Sequence, residues 1–226
     1  ERLNKMYDEL EDRILLTPAS SMEHFHNAFA GGYIDHVLRV TRNAVKLYDL
    51  YNELDIGMGE FTKENVIFTA LHHDLGKLGN ESDSWYLPND SQWHIENQGK
   101  IYKSNDSMNF MNLTGRTFYM LNYYGIKVQE IEWLGIQLTD GLYDEANKEY
   151  SISYQPGKAL KTSFPFLMHQ ADVMATRFEY ERWMKLNKNK SFTKNVGGRP
   201  TKKQKLKNIK MPEKVDFQSI FGDVTE

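Results

Sequence analysis

Four ionisable residues sit where helices should carry apolar side chains. His36 lies one turn before Val40, His73 and Asp74 fall between Leu71 and Leu75, and Asp172 falls between Phe166-Leu167-Met168 and Val173-Met174. An unpaired carboxylate is costly to bury, so each aspartate needs a cation or several donors beside it. One histidine in such a stripe is ordinarily a hydrogen-bonded core residue. Two histidines and two aspartates spread over three helices read better as ligands, because two imidazoles and two carboxylates suit a divalent ion such as Mn²⁺, Fe²⁺, Co²⁺, Zn²⁺ or Mg²⁺. The chain has no cysteine, which excludes thiolate zinc sites, iron–sulfur clusters, disulfides and cysteine nucleophiles.

The elements that must position these residues are helices, since apolar side chains recur at three and four positions. The periodicity predicts an amphipathic helix over residues 2–16 with the stripe Leu3, Met6, Leu10 and Ile14, ended by Thr17-Pro18. A second runs from Gly31-Gly32 to about Asn52, and a third spans 63–78 with Thr62 as N-cap and Gly79 as its stop. Residues 79–95, rich in Asn, Ser, Asp and Pro, read as loop. Short helices follow at 97–103 and 114–124, another at 127–138, and a long one from Pro165 through Trp183. The stretch from Tyr150 to Tyr154 alternates and fits a minor hairpin. The fold class is all-α.

A chain of 226 residues suits one domain with an appendage. Hydrophobic residues make up 40% and charged residues 26%, no apolar run approaches the ~20 residues that span a bilayer, and residues 1–11 show no basic segment followed by an apolar one. A cytoplasmic protein outside the membrane is therefore expected. Charge divides the chain. Residues 1–184 carry 17 Lys+Arg against 27 Asp+Glu, net −10, whereas residues 185–226 carry 11 against 4, net +7. The boundary at 184/185 separates a helical body from a basic, partly irregular C-terminal extension, interrupted by Gly197-Gly198-Arg199-Pro200. Such a run is either a solvated arm or a contact for nucleic acid or another polyanion.

His36, then His73-Asp74 within Ala70-Leu71-His72-His73-Asp74-Leu75-Gly76-Lys77, then Ala171-Asp172 resemble the H…HD…D pattern of the HD-domain metal-dependent phosphohydrolase superfamily. The segment His26-Asn27-Ala28-Phe29-Ala30-Gly31-Gly32-Tyr33-Ile34-Asp35-His36 is similar to the approach to the first metal ligand in HD-domain exoribonucleases and relaxase-type HD modules. The resemblance covers about residues 17–185. It implies an HD-domain helical bundle with His36, His73, Asp74 and Asp172 as metal ligands, Lys77 as the motif lysine that approaches a phosphate, and His26 near the mouth. Dinuclear members use further histidines, often a His-His-Gly; here that place reads Thr139-Asp140-Gly141. His94 and Asp140 are left for a weaker second site, and a diiron oxygenase, which requires a fuller ligand set, is disfavoured.

An ion in such a site acidifies water and polarises a phosphoryl oxygen, and cations offset the growing charge. Lys77 leads, followed by Arg39 and Arg177, with surface ion pairs as the alternative for each arginine. Asp74 joins the catalytic set as ligand, Glu81 and Asp83 could orient water or accept a proton from the polar loop or be turn residues only, and His169 faces the substrate or supports Asp172. Trp85, Tyr86 and Trp93 suit nucleobases or simply pack a core. The expected function is hydrolysis of a phosphoester in a nucleotide or at an oligonucleotide end, with a non-catalytic nucleotide or nucleic-acid binding protein as the alternative.

Overall fold

The computed structural model describes residues 1–55, 59–152 and 155–187. It is mostly helical: α1 (Arg2–Leu16), α2 (Gly32–Glu53), α3 (Lys63–His72), α4 (Gln92–Gln98), α5 (Leu113–Tyr123), α6 (Glu130–Leu138), α7 (Lys148–Ser151) and α8 (Phe164–Leu186), with β1 (Tyr86–Pro88) and β2 (Tyr102–Ser104) as a small antiparallel ribbon. Among the described residues no helix is long and apolar enough to cross a membrane. Residues 188–226, which hold nearly all of the basic extension, lie outside the described residues.

Local chemistry sets the helix ends near the site. Thr62 caps α3 through its side chain, which accepts from Asn65 N, while the Asn65 side chain accepts from Thr62 N. Asn65 Nδ2 also donates to Glu132 Oε1 at 3.0 Å, and Glu132 Oε2 accepts from Gln129 N, so one buried pair joins the starts of α3 and α6. Pro165 occupies the first turn of α8, where its missing N–H goes unused.

Helix α2 is the wedge between two apolar clusters. Its first half, with Tyr33 and Val37, packs with Met6 and Leu10 of α1, Leu75 and Leu78, Met120 and Leu121 of α5, and Ile136 of α6. Its second half, with Val40 and Ala44, packs with Val66 and Ala70 of α3 and with Phe164, Leu167, Met168, Ala171 and Ala175 of α8. Full burial of a Leu, Met or Phe favours the fold by about 1.5–3 kcal/mol each. This is the interaction that clamps α2, α3 and α8 around the polar residues between the clusters.

Three segments differ from the sequence reading. The third helix ends at His72 and continues as a tighter 3₁₀ turn at Leu75–Leu78. The loop predicted over 79–95 contains β1 and the start of α4, whose N-cap Ser91 accepts from His94 N; the helix predicted at 97–103 is accordingly the end of α4 followed by β2. Strands of three residues are too short to show alternation. In the predicted hairpin from Tyr150 to Tyr154, residues 150 and 151 end helix α7, and residues 153 and 154 lie outside the described residues.

Candidate metal centre

His36 projects from the second turn of α2, and Asp172 from the middle of α8. His73 is the C-cap of α3, still helical at φ −53° and ψ −34°, whereas Asp74 leaves the helix at φ −105° and ψ 11°. That break is held by α5. Thr117 Oγ1 donates to His73 O at 3.2 Å and accepts from Gly76 N at 2.9 Å, so a single hydroxyl fixes the backbone on both sides of Asp74. Residue 76 must be glycine for this approach, because a Cβ there would fall 2.1 Å from Leu113 O.

The four side chains converge. His36 Nε2 lies 3.1 Å from Asp172 Oδ1 and 3.5 Å from Asp74 Oδ2, while His73 Nε2 lies 3.9 Å and 3.4 Å from the same atoms. Ligands bound at about 2.0–2.2 Å sit roughly 3–3.5 Å from one another, so these separations match donors that share one small ion. His73 Nδ1 donates to Ala70 O at 2.9 Å, which leaves Nε2 as the free lone pair. That Nε2 is buried and has no hydrogen-bond partner. An orphaned buried nitrogen aimed between two carboxylates fits a divalent ion.

The ionisable groups of the site set one another's charge. Burial disfavours a charged His36, but its hydrogen bonds to Asp172 and Glu179 outweigh that and lift its pKa to about 9. Burial likewise opposes ionisation of Asp74, yet Lys77 and His73 hold its carboxyl well below the usual range. Lys77 Nζ is 2.6 Å from Asp74 Oδ2, and this contact outweighs burial and raises the lysine above its ordinary value. Asp140 moves the other way: burial, then the nearby Asp74 and Asp172 charges, keep it protonated to higher pH.

These groups line a cavity of about 650 Å³. His26, His36, Asp74, Lys77, Asp140, Asp172 and Arg177 supply its polar side, and Phe25, Val173, Tyr143 and Tyr180 its apolar side. His26 Nδ1 contacts Glu179 Oε2 at 3.0 Å, and Glu179 Oε1 accepts from Arg39 Nε at 3.1 Å.

Several residues singled out in the sequence lie elsewhere. Arg13 of α1 reaches over residues 78–83 and donates to the carbonyls of Asn80, Glu81 and Asp83, which draws this loop away from the cavity. The Glu81 carboxylate accepts from Tyr119 Oη at 2.7 Å, and neither Glu81 nor Asp83 lines the cavity. His94 lies on α4 with its ring against Trp93 and, unlike Asp140, does not line the cavity. Arg39 stands behind the site with Asp35 and Glu179. His169 donates through Nδ1 to Thr139 O at 2.7 Å and lies against Gly141, supporting the turn that carries Asp140. Trp85 stacks under Arg116, and Trp93 is exposed; neither lines the cavity. Tyr86 is absent from the cavity wall but interacts with Lys77 and Asp74 beside it.

Sequence reasoning missed Glu179, Phe25, Tyr143 and Tyr180. Glu179 lies two turns after Asp172, a spacing that places both carboxylates on one face of α8, and this was the available signal. The chain matches no protein-family model, no curated protein and no solved structure.

Proposed function

We propose that this cavity is the active site of a metal-dependent phosphohydrolase of the HD type, cleaving with water a phosphoester of a nucleotide or of a nucleic-acid end. The reading rests on one observation above all: a buried His73 Nε2 with no hydrogen-bond partner faces the same space as His36 Nε2, Asp74 and Asp172. A divalent ion held by these four residues supplies Lewis-acid chemistry, acidifying water and polarising a phosphoryl oxygen. Lys77 and Arg177 bring positive charge to the cavity wall, where a phosphate gains most from it. Asp140 lines the same cavity and is placed to hold a proton for the departing oxygen. The aromatic faces of Phe25, Tyr143 and Tyr180 suit a nucleobase beside that polar floor.

The test is a hydrolysis screen with Mn²⁺, Fe²⁺, Co²⁺, Zn²⁺ or Mg²⁺ over nucleoside mono-, di- and triphosphates, cyclic dinucleotides and short single strands. Turnover that chelation abolishes and metal restores is expected. Tight binding of one of these ligands that survives chelation, with no turnover, would replace the proposal by a non-catalytic binding protein.

A further inference from the structure

We infer that Glu179 is the positioning residue of the metal centre: it fixes the His36 ring with the proton on Nδ1 and the Nε2 lone pair toward the ion, and it turns His26 toward the cavity by the same contact. The inference rests on the metal reading above and adds a residue that the H…HD…D pattern does not contain.

The Glu179 side chain is fully buried, and three donors surround it. His36 Nδ1 lies 3.1 Å from Oε2 and 3.2 Å from Oε1, His26 Nδ1 lies 3.0 Å from Oε2, and Arg39 Nε lies 3.1 Å from Oε1. Such a carboxylate is sustained in the interior only by this full set of donors. Arg39 is itself anchored, since its Nη2 donates to Asp35 Oδ2 at 3.1 Å and Asn27 Nδ2 donates to the same oxygen at 2.8 Å. The carboxylate therefore has a fixed place, and the two imidazoles orient to it.

The consequence for His36 is chemical. A neutral imidazole carries its proton on either nitrogen, and only the bare nitrogen can bind a metal. An anion at Nδ1 settles the choice, leaving Nε2 bare and more basic. Asp172 and Glu179 share a face of α8, so one helix supplies both a ligand and the group that orients its partner on α2. For His26, engagement of Nδ1 turns Nε2 away from Glu179 while the ring lines the cavity.

The experiment uses the full chain, with histidine side-chain nitrogens observed by NMR as Zn²⁺ is added, and Zn²⁺ affinity measured against a chromophoric chelator. In the wild type, His36 should give up its Nε2 proton and keep the one on Nδ1. Glu179→Gln, which keeps the shape but lacks the charge, should bind Zn²⁺ about 10–100-fold more weakly, with an unchanged helical circular dichroism spectrum. Equal affinity and an unchanged His36 tautomer in Glu179→Gln would overturn the role of Glu179 and leave the metal centre standing. A wild type that takes up no divalent ion would overturn both. If Glu179→Gln does not fold, the wild type decides alone: coordination through His36 Nδ1, or loss of its Nδ1 proton, sinks the inference.

Discussion

His72 and His73 are consecutive, both buried, and opposite in use. His72 donates through Nδ1 to Phe68 O at 2.6 Å, and its Nε2 accepts from Tyr7 Oη at 2.8 Å. Its ring lies between Tyr7 and Phe68, with centroids 5.9 Å and 4.4 Å away. Burial pushes its pKa down to about 4, so it is a neutral core residue that ties α1 to α3. His73 spends Nδ1 on Ala70 O in the same manner, but its Nε2 makes no hydrogen bond and faces the Asp74 and Asp172 carboxylates at 3.4 Å and 3.9 Å. Residues one apart on a helix point about 100° apart, so one faces the α1 layer and the other faces α2 and α8. Burial does not separate the two histidines; the nitrogen without a hydrogen-bond partner does, and it is what supports His73 as a proposed ligand.

The sharpest way to break this contrast is to remove a ligand from one side and a core group from the other. Asp74→Ala should cost about one metal ion per chain and all hydrolytic activity, measured by elemental analysis and turnover. His72→Gln should keep its metal. Loss of metal from both variants would show that the two histidines belong to one unit.

Acid should act on the His72 side. Its pKa falls from 6.5 to about 4 on folding, so the unfolded chain binds more protons between those values. The stabilising contribution is present above pH 6.5 and is lost as pH falls toward 4, by up to about 3 kcal/mol. Urea midpoints across this window should fall with pH in the wild type and fall less in His72→Gln. Parallel curves would refute the assignment.

In the proposed reaction Lys77 extends the His73 side toward the phosphate. In the metal-loaded protein Lys77→Met should lower kcat/KM at least about tenfold, equivalent to about 1.4 kcal/mol, and should also lower the melting temperature, because the buried Asp74 carboxylate loses its ammonium partner. Unchanged kinetics would remove Lys77 from the phosphate site. The smallest effect is expected from Tyr7→Phe, which deprives His72 Nε2 of its donor. Stability should drop by about 1 kcal/mol with metal content unaltered, as read by denaturant titration and metal analysis.

Much of the site was visible in the sequence because charge in an apolar stripe has few explanations. His36, His73, Asp74 and Asp172 meet as that pattern predicts, and α1, α2 and α8 lie within a residue or a few of their expected bounds. Glu179 was hidden among Arg177, Glu181 and Arg182, a run that reads as a solvated helix face; its three donors come from α2 and the segment before it, which no local pattern reveals. Glu81 and Asp83 misled for the converse reason. Their place after the motif suggested the cavity, but the reach of Arg13 from α1 decides where that loop goes. The aromatic wall was misplaced because Trp85 answers to Arg116, a partner far along the chain.

The contact between His36 and Glu179 joins residues 143 positions apart. Closing so large a loop is entropically unfavourable, and contacts of that separation tend to form late in folding. While the chain is being synthesised, His36, His73 and Asp74 have all emerged before α8 exists to supply Asp172 and the orienting carboxylate. If the proposed metal centre holds, loading at full affinity must wait for α8 to dock, which would make ion capture a late event in the birth of the protein and tie its timing to the arrival of the last described helix.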